Sequence, residues 1–278
     1  MKKIGFIDYY LDQYHAVKYP AWLKEYSNGE MEVAYAWAKT DKPDGKTNKE
    51  FCEENGIKLL DTMEEVIELS DYLVVMSPDN PEQHEELCRL VFASGKPVYV
   101  DKTFTATKDS AVRMVDLAKE NGTPFFSASA MRFTEGIKKA DREGLDAINS
   151  VGSGTFENYF IHQLEPIVTL MGSDISKIIY FGTESTLMFA LKFKDGRTAT
   201  ISQMGWECGF NMTLNYIDEH SVILEVDEDV YFNLINAIIK FFKDGILPVP
   251  PEETLQMMNI IECGEKAMNV PGVWVDIY

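Results

Sequence analysis

The chain has 278 residues, 45 of them acidic against 26 basic, for a formal charge of −19. That length suits two domains with ample apolar content for a core, while the charge repels phosphate backbones and anionic lipid, so neither nucleic acid nor membrane is an expected partner. Cys52, Cys88, Cys208 and Cys263 are far apart and show no CxxC spacing, which predicts no metal site, no disulfide framework and a cytoplasmic setting.

In chain order, the first half alternates short apolar runs with helical patterns. Strands are expected at "KKIGFI", "MEVAYAWA", "YLVVMS", "PVYVD" and "PFFSAS". Between them, helices are expected near 15–27, near 47–55, in "TMEEVIELS" with Thr62 as N-cap, and through "PEQHEELCRLVFASG" and "TKDSAVRMVDLAKENG". The last two should stop at Gly95 and Gly122. This is the rhythm of βαβ units and a parallel sheet.

After about residue 130 the rhythm changes. "STLMFALKFKDGRTATISQMG" alternates around Asp195-Gly196, a two-residue hairpin signal, and "NMTLNYIDEHSVILEV" reads as a second hairpin. Two late helices follow, "VYFNLINAIIKFFKDG" and "PPEETLQMMNIIECGEKAMN", the second opened by Pro250 and Pro251. A final short strand is expected at "GVWVDI". The pattern predicts an α/β protein with a parallel-sheet domain over 1–130 and an α+β domain, mainly antiparallel, over 131–278. The apolar stripe at 231–242 is expected to be core or subunit interface.

Residues 72–133 carry Ser77-Pro78-Asp79-Asn80, His84, Gly95-Lys96-Pro97-Val98, Asp101-Lys102-Thr103, Thr107, Ala111, Ala118, Gly122 and Arg132-Phe133. In order and spacing this resembles the glucose-fructose oxidoreductase and inositol dehydrogenase (Gfo/Idh/MocA) family over about 60 residues. The resemblance implies a Rossmann-like N-terminal domain and NAD(P)-dependent hydride transfer at a hydroxyl-bearing carbon of a sugar, cyclitol or related polyol. It also implies a homodimer or larger assembly through the C-terminal sheet.

By the same resemblance, Lys102 orients the substrate hydroxyl and stabilises charge on its oxygen, with Asp101 tuning the field. The second chemical element is a histidine early in the C-terminal domain. Here "ENYFIHQLEPIVTLMG" offers His162, with Asn158 where an aspartate would stand and Glu165 within a turn if the segment is helical. The cofactor-facing positions are Asp8, Tyr10, Lys39, Ser77, Pro78, Asp79, His84, Asp101 and Lys102. On residue type alone, Lys102 reads first as a surface lysine, and a histidine placed like His162 is more often a packing residue.

The chain departs from this family most sharply after its first strand. A GxGxxG turn lets backbone N–H groups approach a pyrophosphate closely, yet the corresponding positions are Asp8, Tyr10 and Gln13. An aspartate there repels a diphosphate by about 1–4 kcal/mol for one charge pair. No acidic residue ends "EVAYAWA"; Lys39 and Thr40 stand there instead, so NAD and NADP are not distinguished. His15 is expected to lie on the helix surface or to cap it. Two readings stand: an NAD(P)-dependent oxidoreductase with Lys102 and His162 as acid/base pair, or a non-catalytic or cofactor-independent relative that binds a ligand or serves assembly. A third is a lyase or hydrolase that uses Asp8, His15 and Lys102.

Overall fold

The computed structural model describes residues 1–226 and 229–278. They form two compact units, Met1–Ala128 with Tyr231–Thr254, and Ser129–Val230 with Leu255–Tyr278. The expected division into 1–130 and 131–278 is contiguous, whereas the chain itself returns to the first unit at Tyr231.

The first unit is built on β1 (Lys2–Asp8), α1 (Tyr14–Tyr26), β2 (Met31–Ala38), α2 (Asn48–Asn55), β3 (Lys58–Leu59), α3 (Met63–Leu69) and β4 (Tyr72–Val75). It continues with α4 (His84–Phe92), β5 (Val98–Val100), α5 (Lys108–Glu120) and β6 (Phe125–Ser127). The strands make one parallel sheet in the order β3-β2-β1-β4-β5-β6. The order reverses between β1 and β4, and ligands of open α/β sheets bind at the carboxyl ends beside such a reversal. Ile4, Phe6 and Ile7 of β1 are fully buried, as a strand covered on both faces requires.

Local chemistry sets the helix boundaries. Thr47 with Glu50 and Thr62 with Glu65 form capping boxes at α2 and α3, and Thr107 caps α5. Gly5 lets α3 lie close on β1, since a Cβ there would stand 2.5 Å from Val66 Cγ1 and 2.4 Å from Ser70 Oγ. The C-terminal carbonyl end of α3 is held by Lys96, whose ammonium donates to the carbonyls of Ile67, Glu68 and Ser70.

The second unit contains α6 (Glu135–Lys139), β7 (Leu145–Ser153), α7 (Phe156–Met171), β8 (Ile175–Tyr180), β9 (Leu187–Phe193), β10 (Thr198–Met204), β11 (Asn211–Tyr216) and β12 (Ser221–Glu225). Two helices, α8 (Val230–Asp244) and α9 (Pro251–Met268), and β13 (Trp274–Asp276) complete the chain. The second sheet runs β12-β11-β7-β10-β9-β8-β13. It is mostly antiparallel, but β7 and β10 pair in parallel. The β9–β10 turn has three residues rather than two: Phe193 N–H donates to the Arg197 carbonyl, enclosing Lys194, Asp195 and Gly196, with Gly196 at φ 99°.

Most of α8 belongs to the first unit. Its Phe242 stacks on Tyr72 at 4.6 Å between centroids, Phe241 meets Phe126 edge-on at 5.2 Å, and Tyr231 stacks on Trp22 at 5.4 Å. The apolar stripe of this helix is therefore core of the sheet domain. Among the described residues, no helix is long and apolar enough to cross a membrane, and no cluster of three His, Cys, Asp or Glu side chains could hold a metal ion.

Candidate active site

The end of β1 is closed by its own side chains. Asp8 is 1% exposed, and its carboxyl accepts from Tyr9 N–H at 2.7 Å and from Gln13 Nε2 at 2.9 Å. Gln13 also contacts Met76 Sδ at 3.4 Å. Its Oε1 accepts from His15 N–H at 2.7 Å, so it caps the N-terminus of α1. Leu11, fully buried, donates its N–H to Asn48 Oδ1 at 3.0 Å. Burial, aided by the charge of Asp101, pushes the Asp8 carboxyl up to about 8 against the hydrogen bonds from Gln13 and Tyr9.

This turn does not fit a pyrophosphate. A phosphate at a helix N-terminus needs free backbone donors and room for close approach, and here acceptors of the chain itself occupy the N–H groups of Tyr9, Leu11 and His15. The reason differs from the charge repulsion expected of Asp8. A carboxyl titrating near 8 is mostly neutral at pH 7, so the obstacle is satisfied donors and filled space.

The other expected positions lie nearby in the same unit. Tyr10 is half-buried, with Lys42 Nζ 5.8 Å from its ring centroid; burial first, then the charges of Asp79 and Asp8, raise its phenol. Lys39 is exposed and occupied, bonding Gln83 at 2.9 Å and Glu86 at 2.6 Å. After β4, Ser77 is buried and donates to the Asn80 carbonyl at 3.0 Å, while Pro78 is half-buried and Asp79 exposed. His84 opens α4, wholly buried, with Nδ1 donating at 3.0 Å to the carbonyls of Thr103 and Phe104. Burial lowers its pKa, so it holds the loop after β5 as a neutral imidazole.

Asp101 and Lys102 follow β5 directly. Asp101 is completely buried. Its Oδ2 faces His15 Nδ1 at 2.8 Å, and its Oδ1 accepts from Tyr99 Oη at 3.2 Å. Burial would raise this carboxyl, but the charge and hydrogen bond of His15, then the charge of Lys102, outweigh it and hold the group down at about 2. Lys102 is half-buried and makes no ion pair or hydrogen bond among the described residues. The Lys102–Thr103 peptide is cis.

His15 departs from its expected surface or capping role. It is 7% exposed, stacked on Tyr19 at 5.1 Å and tilted against Tyr231 at 5.8 Å. The signal in the sequence was slight: a histidine in the first turn of the helix that follows β1.

In the second unit, α7 carries the other candidates. Asn158 and His162 are four residues apart on this helix and both half-buried. His162 Nδ1 lies 2.7 Å from Ser129 Oγ, so the group on that nitrogen is a serine hydroxyl rather than Asn158. Glu165, fully buried, accepts from Ser129 N–H at 2.5 Å and faces Arg132 Nη1 at 3.4 Å. His162 lines a small, mainly apolar cavity with Met131, Ile137, Pro166, Phe210 and Leu224.

Residues 25–129 match the family model GFO_IDH_MocA, described as an oxidoreductase family with an NAD-binding Rossmann fold. That match runs from the end of α1 to just past β6 of the parallel-sheet domain. Solved structures share the fold along the whole chain. The myo-inositol 2-dehydrogenase of Lactobacillus plantarum is 14% identical, with a TM-score of 0.81, covering 100% of this chain and 99% of its own. A probable dehydrogenase from Thermotoga maritima is 17% identical at TM-score 0.83, covering 99% and 98%. GenD2 from gentamicin A biosynthesis, in complex with NAD, is 14% identical at TM-score 0.82, covering 100% and 97%. No curated protein sequence matches the chain.

Proposed function

We propose that this Gfo/Idh/MocA protein is a cytoplasmic oxidoreductase acting at a hydroxyl-bearing carbon of a sugar, cyclitol or related polyol, with NAD or NADP as redox partner. The observation that carries the reading is Lys102, half-buried and unpaired among the described residues, just beyond the carboxyl end of β5 within the matched segment. A partly desolvated ammonium with no protein partner is suited to a ligand oxygen and stabilises negative charge developing there. His162 is the second acid/base position in this reading, its ring fixed by Ser129 at Nδ1, with Asn158 one turn before it on α7.

The dinucleotide would supply or accept the hydride. Because the β1–α1 turn does not fit its pyrophosphate, the remaining family positions are the loop after β4, from Ser77 to Asn80, and the end of β5 at Asp101 and Lys102. The reading includes self-association through the sheet of the second unit, to be checked by light scattering. The decisive experiment titrates NADH and NADPH by fluorescence and calorimetry, then measures turnover of myo-inositol and a panel of sugars. Saturable binding, with turnover abolished in Lys102→Ala, supports the proposal; no binding at millimolar nucleotide overturns it.

The occupied turn favours a second reading, a relative that binds a polyol-type ligand without a dinucleotide or serves assembly. It expects no nucleotide heat, whatever the response to polyols.

A further inference from the structure

His15 and Asp101 come together from positions 86 apart in the sequence. The carboxylate lies at the carboxyl edge of the parallel sheet, next to Lys102 and close to the reversal between β1 and β4. Its Oδ2 holds His15 Nδ1 at 2.8 Å and its other oxygen is held by Tyr99. A carboxylate accepts only, so a neutral His15 must carry its proton on Nδ1 and leave Nε2 as the basic atom. Among the described residues, the only polar contact of Nε2 is a 3.5 Å approach by Tyr231 Oη. The ring plane is set by Tyr19, stacked at 19°.

The bond that ties α1 to the end of β5 thus also fixes the tautomer of His15 beside Lys102. We propose that His15, oriented by Asp101, is an acid–base residue of this site, with Nε2 the atom that takes a proton from a hydroxylated substrate and returns it. In that step the Nε2 lone pair forms the N–H bond as the substrate O–H bond breaks. The electron pair stays on the substrate oxygen, and the imidazolium charge is met by Asp101. The ionisable groups around this proton are Asp8 at the end of β1, Tyr14 and Tyr19 on α1, His84 on α4, Tyr99 on β5 with Asp101 and Lys102 after it, and Tyr231 on α8. Asp101 is the one that bonds the ring directly.

The kinetic arm rests on the polyol reading above; the spectroscopic arm does not. In the ligand-free wild-type protein, two-bond 1H–15N correlations of the His15 ring are followed from pH 6 to 9. The expected result is that the neutral ring carries its proton on Nδ1. In Asp101→Asn the preference for that tautomer is lost. A neutral ring protonated at Nε2 overturns the proposal.

If myo-inositol or a sugar of the panel is turned over, His15→Gln lowers kcat by about 10²–10⁴-fold, as loss of a general base does, with KM changed less than about threefold. Unchanged kcat in folded His15→Gln overturns the role. If nothing on the panel is turned over, the polyol reading fails by itself, whereas a neutral His15 ring protonated at Nε2 overturns the acid–base role independently of any substrate.

Discussion

Replacing Asp8 with asparagine probes the closed turn most directly. The folded carboxyl titrates near 8 against an ordinary 3.8, chiefly because it is buried. Between these values the folded state binds more protons than the unfolded, so stability falls as pH rises. The contribution is fully present below about 3.8 and is lost through about 8. At about 1.4 kcal/mol per pH unit, the loss between pH 5 and pH 9 is on the order of 4 kcal/mol. Asp8→Asn cannot ionise and lacks this slope. Its amide has one oxygen where the carboxyl serves both Tyr9 N–H and Gln13 Nε2, so one donor loses its acceptor at a cost of about 1–3 kcal/mol. The variant is therefore expected to be less stable than wild type at pH 5 and more stable at pH 9. Urea unfolding at pH 5, 7 and 9, followed by tryptophan fluorescence, reads this crossing, with Trp22 and Trp37 reporting on the first unit. Parallel pH profiles for the two proteins would refute the reasoning, since Asp8 would then be ionised in the folded state at neutral pH.

Three further substitutions test the frame. Thr62→Ala removes the α3 capping box and should cost about 1 kcal/mol, read as a lower urea midpoint at unchanged m-value. Lys96→Met deletes the ammonium shared by three carbonyls at the end of α3, for an expected loss of about 1–2 kcal/mol and faster amide exchange around residues 66–70. Gly154→Ala meets two obstacles: a backbone at φ 104° and a Cβ that would lie 2.2 Å from Tyr159 Cγ. A loss above about 2 kcal/mol is expected. The displaced Tyr159 should also change the fluorescence of Trp206, 5.1 Å from it edge-on.

The sheet domain was legible because each of its strands but one is an apolar run bounded by turn chemistry, and because Thr62 and Thr107 stand where caps belong. The exception, β3, is two residues long, too short to show a period. β7 was not expected because Asp146, Asn149 and Gly152 dilute its pattern. Its parallel partner β10 supplies what propensity lacks. The helix α8 showed its apolar stripe plainly, but a stripe does not say what covers it. Lys102 could be placed at a strand end by reading along the chain. The partnership of His15 with Asp101 could not, for nothing local to either residue points to the other. The charge state of Asp8 was hidden too, because it depends on burial that only the folded chain creates.

These hidden features bear on one another. A glycine-rich turn leaves its N–H groups waiting for an anion, and a chain that lost the anion would bury unsatisfied donors at about 1–3 kcal/mol each. Here Asp8, Gln13 and Asn48 satisfy those donors from within. Gln13 does more than fill a vacancy: one end of its amide binds Asp8 and the other caps the helix that carries His15. The same side chains that remove the phosphate cradle thus set the first turn of α1, and the first turn of α1 sets the imidazole on Asp101. The closed turn and the histidine–aspartate pair therefore share Gln13, and a substitution at Gln13 should disturb both together.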